Sequence, residues 1–261
     1  MRKEFNICLA SYFDHKYAMF GRLCARSMQV YADRYGYHVE IYTKPLCSRP
    51  PTWNKLLIIQ ELFNKGYDFV FWIDSDSVFV RFDEDIADQI EADKDLYMVK
   101  FVDHVIEGEV PNTGILLIRN SPWSKMVLEK LWGFEKYVAY KWKDQAAFVE
   151  FFGLIGKLNK HNWHFRDDTL INIQPNEELL RKVKWMDMKW NNWESRANVK
   201  RPMINHYAGR PHHVRLWMMM RDAQKTGVAP ILMPGHVFEW LKARAQFEFH
   251  NIIKRLRRKS K

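Results

Sequence analysis

The sequence predicts an α/β fold, with a largely parallel central sheet flanked by helices. Three observations carry this expectation. Strand-length apolar runs alternate with helix-period segments through the first half. One run, DFVFWI (68–73), is continuously apolar after its first residue, as expected of a central strand covered on both faces. Turn and cap residues separate the segments.

Taken in order, Phe5 to Ser11 reads as a buried strand followed by Tyr12. Tyr17 to Tyr35 reads as a helix capped by Gly36, and Tyr37 to Tyr42 as a second strand. After a Pro-rich loop, Trp53 to Asn64 is a helix with Trp53, Leu56, Leu57, Gln60 and Phe63 near one face, closed by Gly66. The 68–73 strand runs into DSDSVFV. Strands are expected at Leu96 to Val102 and Thr113 to Ile118, and helices at Pro122 to Trp132 and Asp144 to Phe152, the first opened by proline and the second by an acid. The second half is less regular. Residues 185–193 gather Trp185, Trp190 and Trp193, residues 202–213 read as a loop, and residues 236–258 read as a basic amphipathic helix. The expected organisation is one catalytic domain over 1–235 with the basic helix 236–261 packed on it or appended to it.

The chain of 261 residues is 47% hydrophobic and 15% aromatic, which suits one sizeable core and excludes a disordered chain. No run of roughly 18 uncharged apolar residues exists, so no membrane span is expected, and the N-terminus lacks the apolar core of a signal peptide. The three cysteines, Cys8, Cys24 and Cys47, form no C-x-x-C pair, which points to a reduced compartment and away from a cysteine zinc site. The net charge of +10 suits phosphorylated ligands, anionic lipid or nucleic acid, but much of the excess lies in the C-terminal tail.

Asp74, Ser75 and Asp76 follow the apolar strand, at the sheet edge where parallel α/β proteins bind ligands. Two carboxylates one residue apart need compensation, and a hard divalent cation supplies it. Such a cation also neutralises a departing diphosphate. The bland alternative is a pair of turn aspartates satisfied by backbone N–H groups.

Four segments, FVFWIDSDSVFV, PNTGILLIRNSPWS, KDQAAF and INHYAGRP, stand in the order seen in glycosyltransferase family 34, which the chain resembles from about Phe5 to His213. WNKLLIIQELF is similar to that family's lysine-bearing helix, and VKWMDMKWNNW to a segment of glycogenin-like transferases. The resemblance implies a GT-A fold with a Rossmann-like sheet. It also implies manganese (or magnesium), a nucleotide-sugar donor with uridine diphosphate (UDP) sugars the commonest, and retention at the anomeric carbon. Asp76 is then the firmer metal ligand, Asp74 lies nearer the ribose and sugar, and His206 completes the site. Arg210 stands where a lysine stabilises the diphosphate, one residue closer to His206 than expected. Ser11 and Tyr12 match the base-binding position. Lys55 matches a lysine that reaches the donor phosphates, although a solvated helix lysine is the alternative.

Asn112 and Gly114 fall in N-T-G, where backbone comes close to the sugar. Asp144 and Gln145 match a pair near the anomeric carbon, with Lys143 replacing the family's first aspartate; a helix N-terminal charge is the alternative for Asp144. The tryptophans would line the acceptor side, at least one of them packing the core, and Asn191 is a weaker candidate there. The expected partners are the nucleotide-sugar and a glycan or glycolipid acceptor. A cytoplasmic enzyme is expected, with peripheral membrane contact through the basic helix as one option and packing of that helix on the domain as the other. Two rivals remain. A haloacid-dehalogenase-like phosphatase would use the first Asp of DSDSV as nucleophile. A basic nucleic-acid module would need a recognition motif that the chain lacks, so no specific nucleic acid is expected.

Overall fold

A computed structural model describes residues 5–103, 108–153, 174–193 and 199–228, and seven helical positions between 241 and 249. Among these residues a six-stranded sheet has the order β2-β1-β3-β6-β5-β7. Its strands are β1 (Ile7–Tyr12), β2 (His38–Tyr42), β3 (Phe69–Ile73), β5 (Leu96–Asp103), β6 (Gly108–Arg119) and β7 (Val183–Trp185). The pairs β1–β2, β1–β3 and β5–β7 are parallel, while β6 runs antiparallel to both neighbours. The sheet is therefore mostly parallel, as expected. β6 begins at Gly108, earlier than its apolar run suggests, because its first half pairs with β5 beyond a register shift at Met98/Val99.

Strand alternation divides the core into two layers. Cys8, Ala10, Val70, Trp72, Leu116 and Ile118 face α2 (Asn54–Asn64), α3 (Pro122–Trp132) and α4 (Lys143–Phe152). Ile7, Leu9, Phe69, Phe71, Ile73, Ile115 and Leu117 face the other way, where Cys24, Met28, Tyr31 and Ala32 of α1 (Ala18–Tyr35) cover them. The central strand β3 is apolar throughout because both of its faces are covered. Helix ends follow local chemistry. Gly36 closes α1 with φ 74° and its N–H on Ala32 O, and Ser121 accepts from Ser124 N to open α3 ahead of Pro122. α1 starts one residue later than expected, since Asp14 accepts from the N–H groups of Lys16 and Tyr17 and holds a short 3₁₀ turn first.

A second sheet carries the site. β4 (Ser77–Phe79) pairs antiparallel with β9 (Ile204–His206), which pairs parallel with β8 (Asn192–Trp193). The 202–213 stretch is thus not only loop. It holds β9, a turn with Gly209 at φ 74°, and the start of α6 (His212–Lys225), whose Val214, Leu216, Met218 and Met219 are buried. A four-residue helix, α5 (Glu177–Leu180), precedes β7. The remainder of the expected 236–258 helix lies outside the described residues. No helix among the described residues is long and apolar enough to cross a membrane.

Candidate active site

Asp74 leaves the end of β3 with its N–H on Gly114 O (2.7 Å), and Ser77 N closes a turn onto Asp74 O (3.0 Å). The turn delivers the chain into β4, where Ser77 pairs with His206. That pairing brings residues 130 positions apart in sequence into contact, with His206 Nε2 3.3 Å from Asp76 Oδ1. Oxygen and nitrogen atoms of Asp74, Asp76 and His206 lie within 4.8 Å of one another. Two carboxylates and an imidazole suit manganese or magnesium-like ions, the imidazole favouring the softer of the two. A cradle supports the same fit: a Cβ on Gly114 would stand 2.2 Å from His206 Cε1, so only glycine admits the ring.

The imidazole is oriented from behind. Asn191 donates through Nδ2 to Asn112 Oδ1 (3.1 Å), which turns its own Oδ1 toward His206 Nδ1 at 3.0 Å. An amide oxygen at Nδ1 favours a proton on that nitrogen, which would leave Nε2, the nitrogen facing Asp76, to ligate a metal ion. Asn112 Oδ1 also accepts from Gly114 N (2.8 Å). The Asn112 amide oxygen is therefore committed to protein donors, and Gly114 admits the histidine. Asn191, expected weakly on the acceptor side, sits behind the cluster instead.

Lys55 is not a solvated helix lysine. Only 1% exposed, it donates to Thr113 O (2.7 Å) and Asp144 Oδ2 (3.0 Å), and its Nζ lies 3.3 Å from Asp74 Oδ1. With three acceptors in the protein, its ammonium links Asp74 to Asp144 and does not extend into open space. Burial disfavours the Lys55 charge, but Asp144 and Asp74 outweigh it and raise its pKa. Asp144 is more than a helix-end charge: it is 4% exposed and tied to Lys55. Asp74 also accepts from Trp72 Nε1 (2.7 Å) and keeps 30% of its side chain open. Its recessed position pushes its carboxyl up, only partly opposed by Lys55 and His206. Asp76 goes the other way. Burial opposes its charge too, but His206 and Arg215 hold it down at about 2.

Above these acids opens a cleft of about 260 Å³ lined by Tyr12, Asp14, Tyr17, Trp72, Asp74, Asp76, Lys143 and Arg215, among others. Ser75 and Tyr12 lie on it. Ser11 is fully buried beneath it. Gln145 is half-buried at the first turn of α4, outside the lining. Arg210 is half-buried and also outside the lining, whereas Arg215 reaches Asp76 Oδ2 at 3.0 Å. Sequence reasoning missed Arg215 because it missed α6; the apolar spacing of Val214, Met218 and Met219 is the signal that would have found that helix. Of the tryptophans, Trp190 is fully buried, while Trp193 donates to Ala208 O (2.8 Å) and packs edge-on against Phe101.

Residues 35–207, about two thirds of the chain, match the family model described as nucleotide-diphospho-sugar transferase. The chain belongs to this family. The nucleotide-diphospho-sugar transferase reading displaces both the phosphatase and the nucleic-acid module. Three similar solved structures are far in sequence. A glycosyltransferase involved in glycosylation of the major capsid of PBCV-1 has a TM-score of 0.58 at 14% identity, covering 83% of this chain and 99% of that one. The galactosyltransferase LgtC, solved with donor and acceptor sugar analogs, gives 0.57 at 12%, covering 89% and 99%. GlyE of Streptococcus pneumoniae gives 0.56 at 14%, covering 95% and 64%. These likenesses establish the GT-A glycosyltransferase fold. No curated protein matched by sequence.

Proposed function

We propose that this transferase moves a sugar from a UDP-sugar to a hydroxyl of a glycan or glycoconjugate, in a divalent-metal-dependent reaction that retains anomeric configuration. The observation that carries the reading is the Asp74–Asp76–His206 cluster, whose two aspartates line the cleft. Asp76 and His206, with Asp74, would hold the metal, which when bound stabilises negative charge on the departing diphosphate. Tyr12 offers an aromatic face to the base, with Ser11 setting the strand end beneath it. Asp144, fixed by Lys55, faces the donor sugar, with Gln145 beside it near the anomeric carbon. Asn112 and Gly114 act through His206. Arg210 stays a candidate for the diphosphate, with Arg215 better placed on the cleft.

In the transfer itself, the anomeric carbon–oxygen bond to the diphosphate breaks and a bond to the acceptor oxygen forms on the same face. The acceptor proton passes to a departing phosphate oxygen, so no strong protein base is needed. Retention and the UDP-sugar preference rest on the resemblance to family 34. Calorimetric titration with UDP and with guanosine diphosphate (GDP), each with manganese and with chelator, tests the reading. Metal-dependent binding of UDP, abolished in Asp76→Ala, is expected; binding of neither nucleotide in manganese would sink it.

A further inference from the structure

Arg215 occupies the first turn of α6 and puts Nη1 3.0 Å from Asp76 Oδ2, while Nη2 donates to Arg210 O (3.1 Å). Its Nε is buried without an acceptor. Its guanidinium lies beside the rings of Tyr17 and Phe20, 5.9 and 5.7 Å from their centroids. Asp76 is thus shared: one oxygen faces His206 and the other faces a fixed cation. A divalent ion and a guanidinium on one carboxylate repel each other. A diphosphate adds the negative charge that lets both cations stay, and a guanidinium fork matches phosphate oxygens.

We propose that Arg215 is a donor-binding residue that neutralises Asp76 in the donor-free enzyme and shifts to the diphosphate when the nucleotide binds. This rests on the metal-dependent reading above. The shift makes Arg215 an opponent of metal binding alone and a supporter of nucleotide binding, so its removal has opposite effects on the two ligands. A purely structural arginine, or one that only attracts phosphate, would not produce that inversion.

Free Mn²⁺, followed by its electron paramagnetic resonance signal, and UDP in excess Mn²⁺, followed by calorimetry, are titrated into wild type, Arg215→Met and Arg215→Lys. Arg215→Met is expected to bind Mn²⁺ alone about tenfold more tightly and UDP about tenfold more weakly. Arg215→Lys, which keeps the charge but not the fork, is expected to shift both affinities in the same directions by less. It takes over the test should the methionine variant lose its thermal transition. Unchanged or weakened Mn²⁺ binding, or unchanged UDP binding, in the variants overturns the proposal while wild type still binds Mn²⁺ and UDP through Asp76. If wild type binds neither, the metal-dependent reading fails and the role of Arg215 falls with it.

Discussion

Gly114→Ala probes the cluster at its tightest point. The added Cβ would meet His206 Cε1 at 2.2 Å, His206 Nδ1 at 2.9 Å and Asn112 Oδ1 at 3.0 Å, where ordinary contact begins at 3.4 Å. The ring must therefore retreat by about 1.2 Å. It has little room to do so, since His206 is 2% exposed and its backbone is held in β9 between β4 and β8. Retreat would stretch the contact of Nδ1 with Asn191 and move Nε2 away from Asp76. Overpacking of this kind costs about 1–3 kcal/mol of stability. A displaced ligand weakens metal-dependent binding by roughly 10- to 100-fold. Urea unfolding reads the first effect and calorimetric titration of UDP in manganese reads the second. The double variant Gly114→Ala/His206→Ala isolates the cause, because without the imidazole the methyl group should cost less than about 1 kcal/mol. Wild-type binding in Gly114→Ala, or an equal penalty in the His206→Ala background, would refute the cradle argument.

Lys55→Met is expected to destabilise the fold by about 3–5 kcal/mol in urea unfolding, because it strands the buried Asp144 and the recessed Asp74 without their cation. Asp144→Asn in the same background should recover part of that loss, and a penalty under about 1 kcal/mol for Lys55→Met would contradict the charge link. Since the folded pKa of Lys55 is raised, its contribution is fully present below 10.5 and lost only as pH rises through that higher value. Wild-type stability should therefore show no loss from Lys55 between about pH 6 and 9. Asp76 behaves oppositely: held at about 2 against an ordinary 3.8, it adds stability above 3.8 that disappears as pH falls toward 2. Between about pH 5 and 2, wild type should lose roughly 2 kcal/mol more than Asp76→Asn in denaturant titrations, and parallel profiles would contradict the pairing with His206 and Arg215. Asn191→Ala should weaken manganese-dependent UDP binding by roughly 10-fold or more while unfolding within about 2 kcal/mol of wild type, as titration and urea melts would show.

The local elements and the glycosyltransferase class were legible in the chain. DFVFWI announces a central strand because both faces of β3 are covered, and the acids that follow must lie at its end. Gly36, Ser121 and Pro122 mark helix ends through backbone chemistry that acts over a few residues. Ordered motifs placed Asp74, Asp76 and His206 in one site before any contact was known. Which partner each side chain takes was settled only in three dimensions. Lys55 read as a lysine reaching the donor phosphates or as a solvated one, because its helix pattern carries no trace of Asp144, 89 positions away, which makes its burial tolerable. Gly114 looked like an approach point for the sugar, yet the atom pressing on it is His206, delivered by β4–β9 pairing. Arg210 sits beside the motif but Arg215 reaches the acids, because a helix turn beyond Pro211 aims the later residue into the cleft. Periodicity and capping are short-range signals written in neighbouring residues. Charge partnership and close packing depend on strand order and register, which the same residues specify only when the whole sheet is assembled.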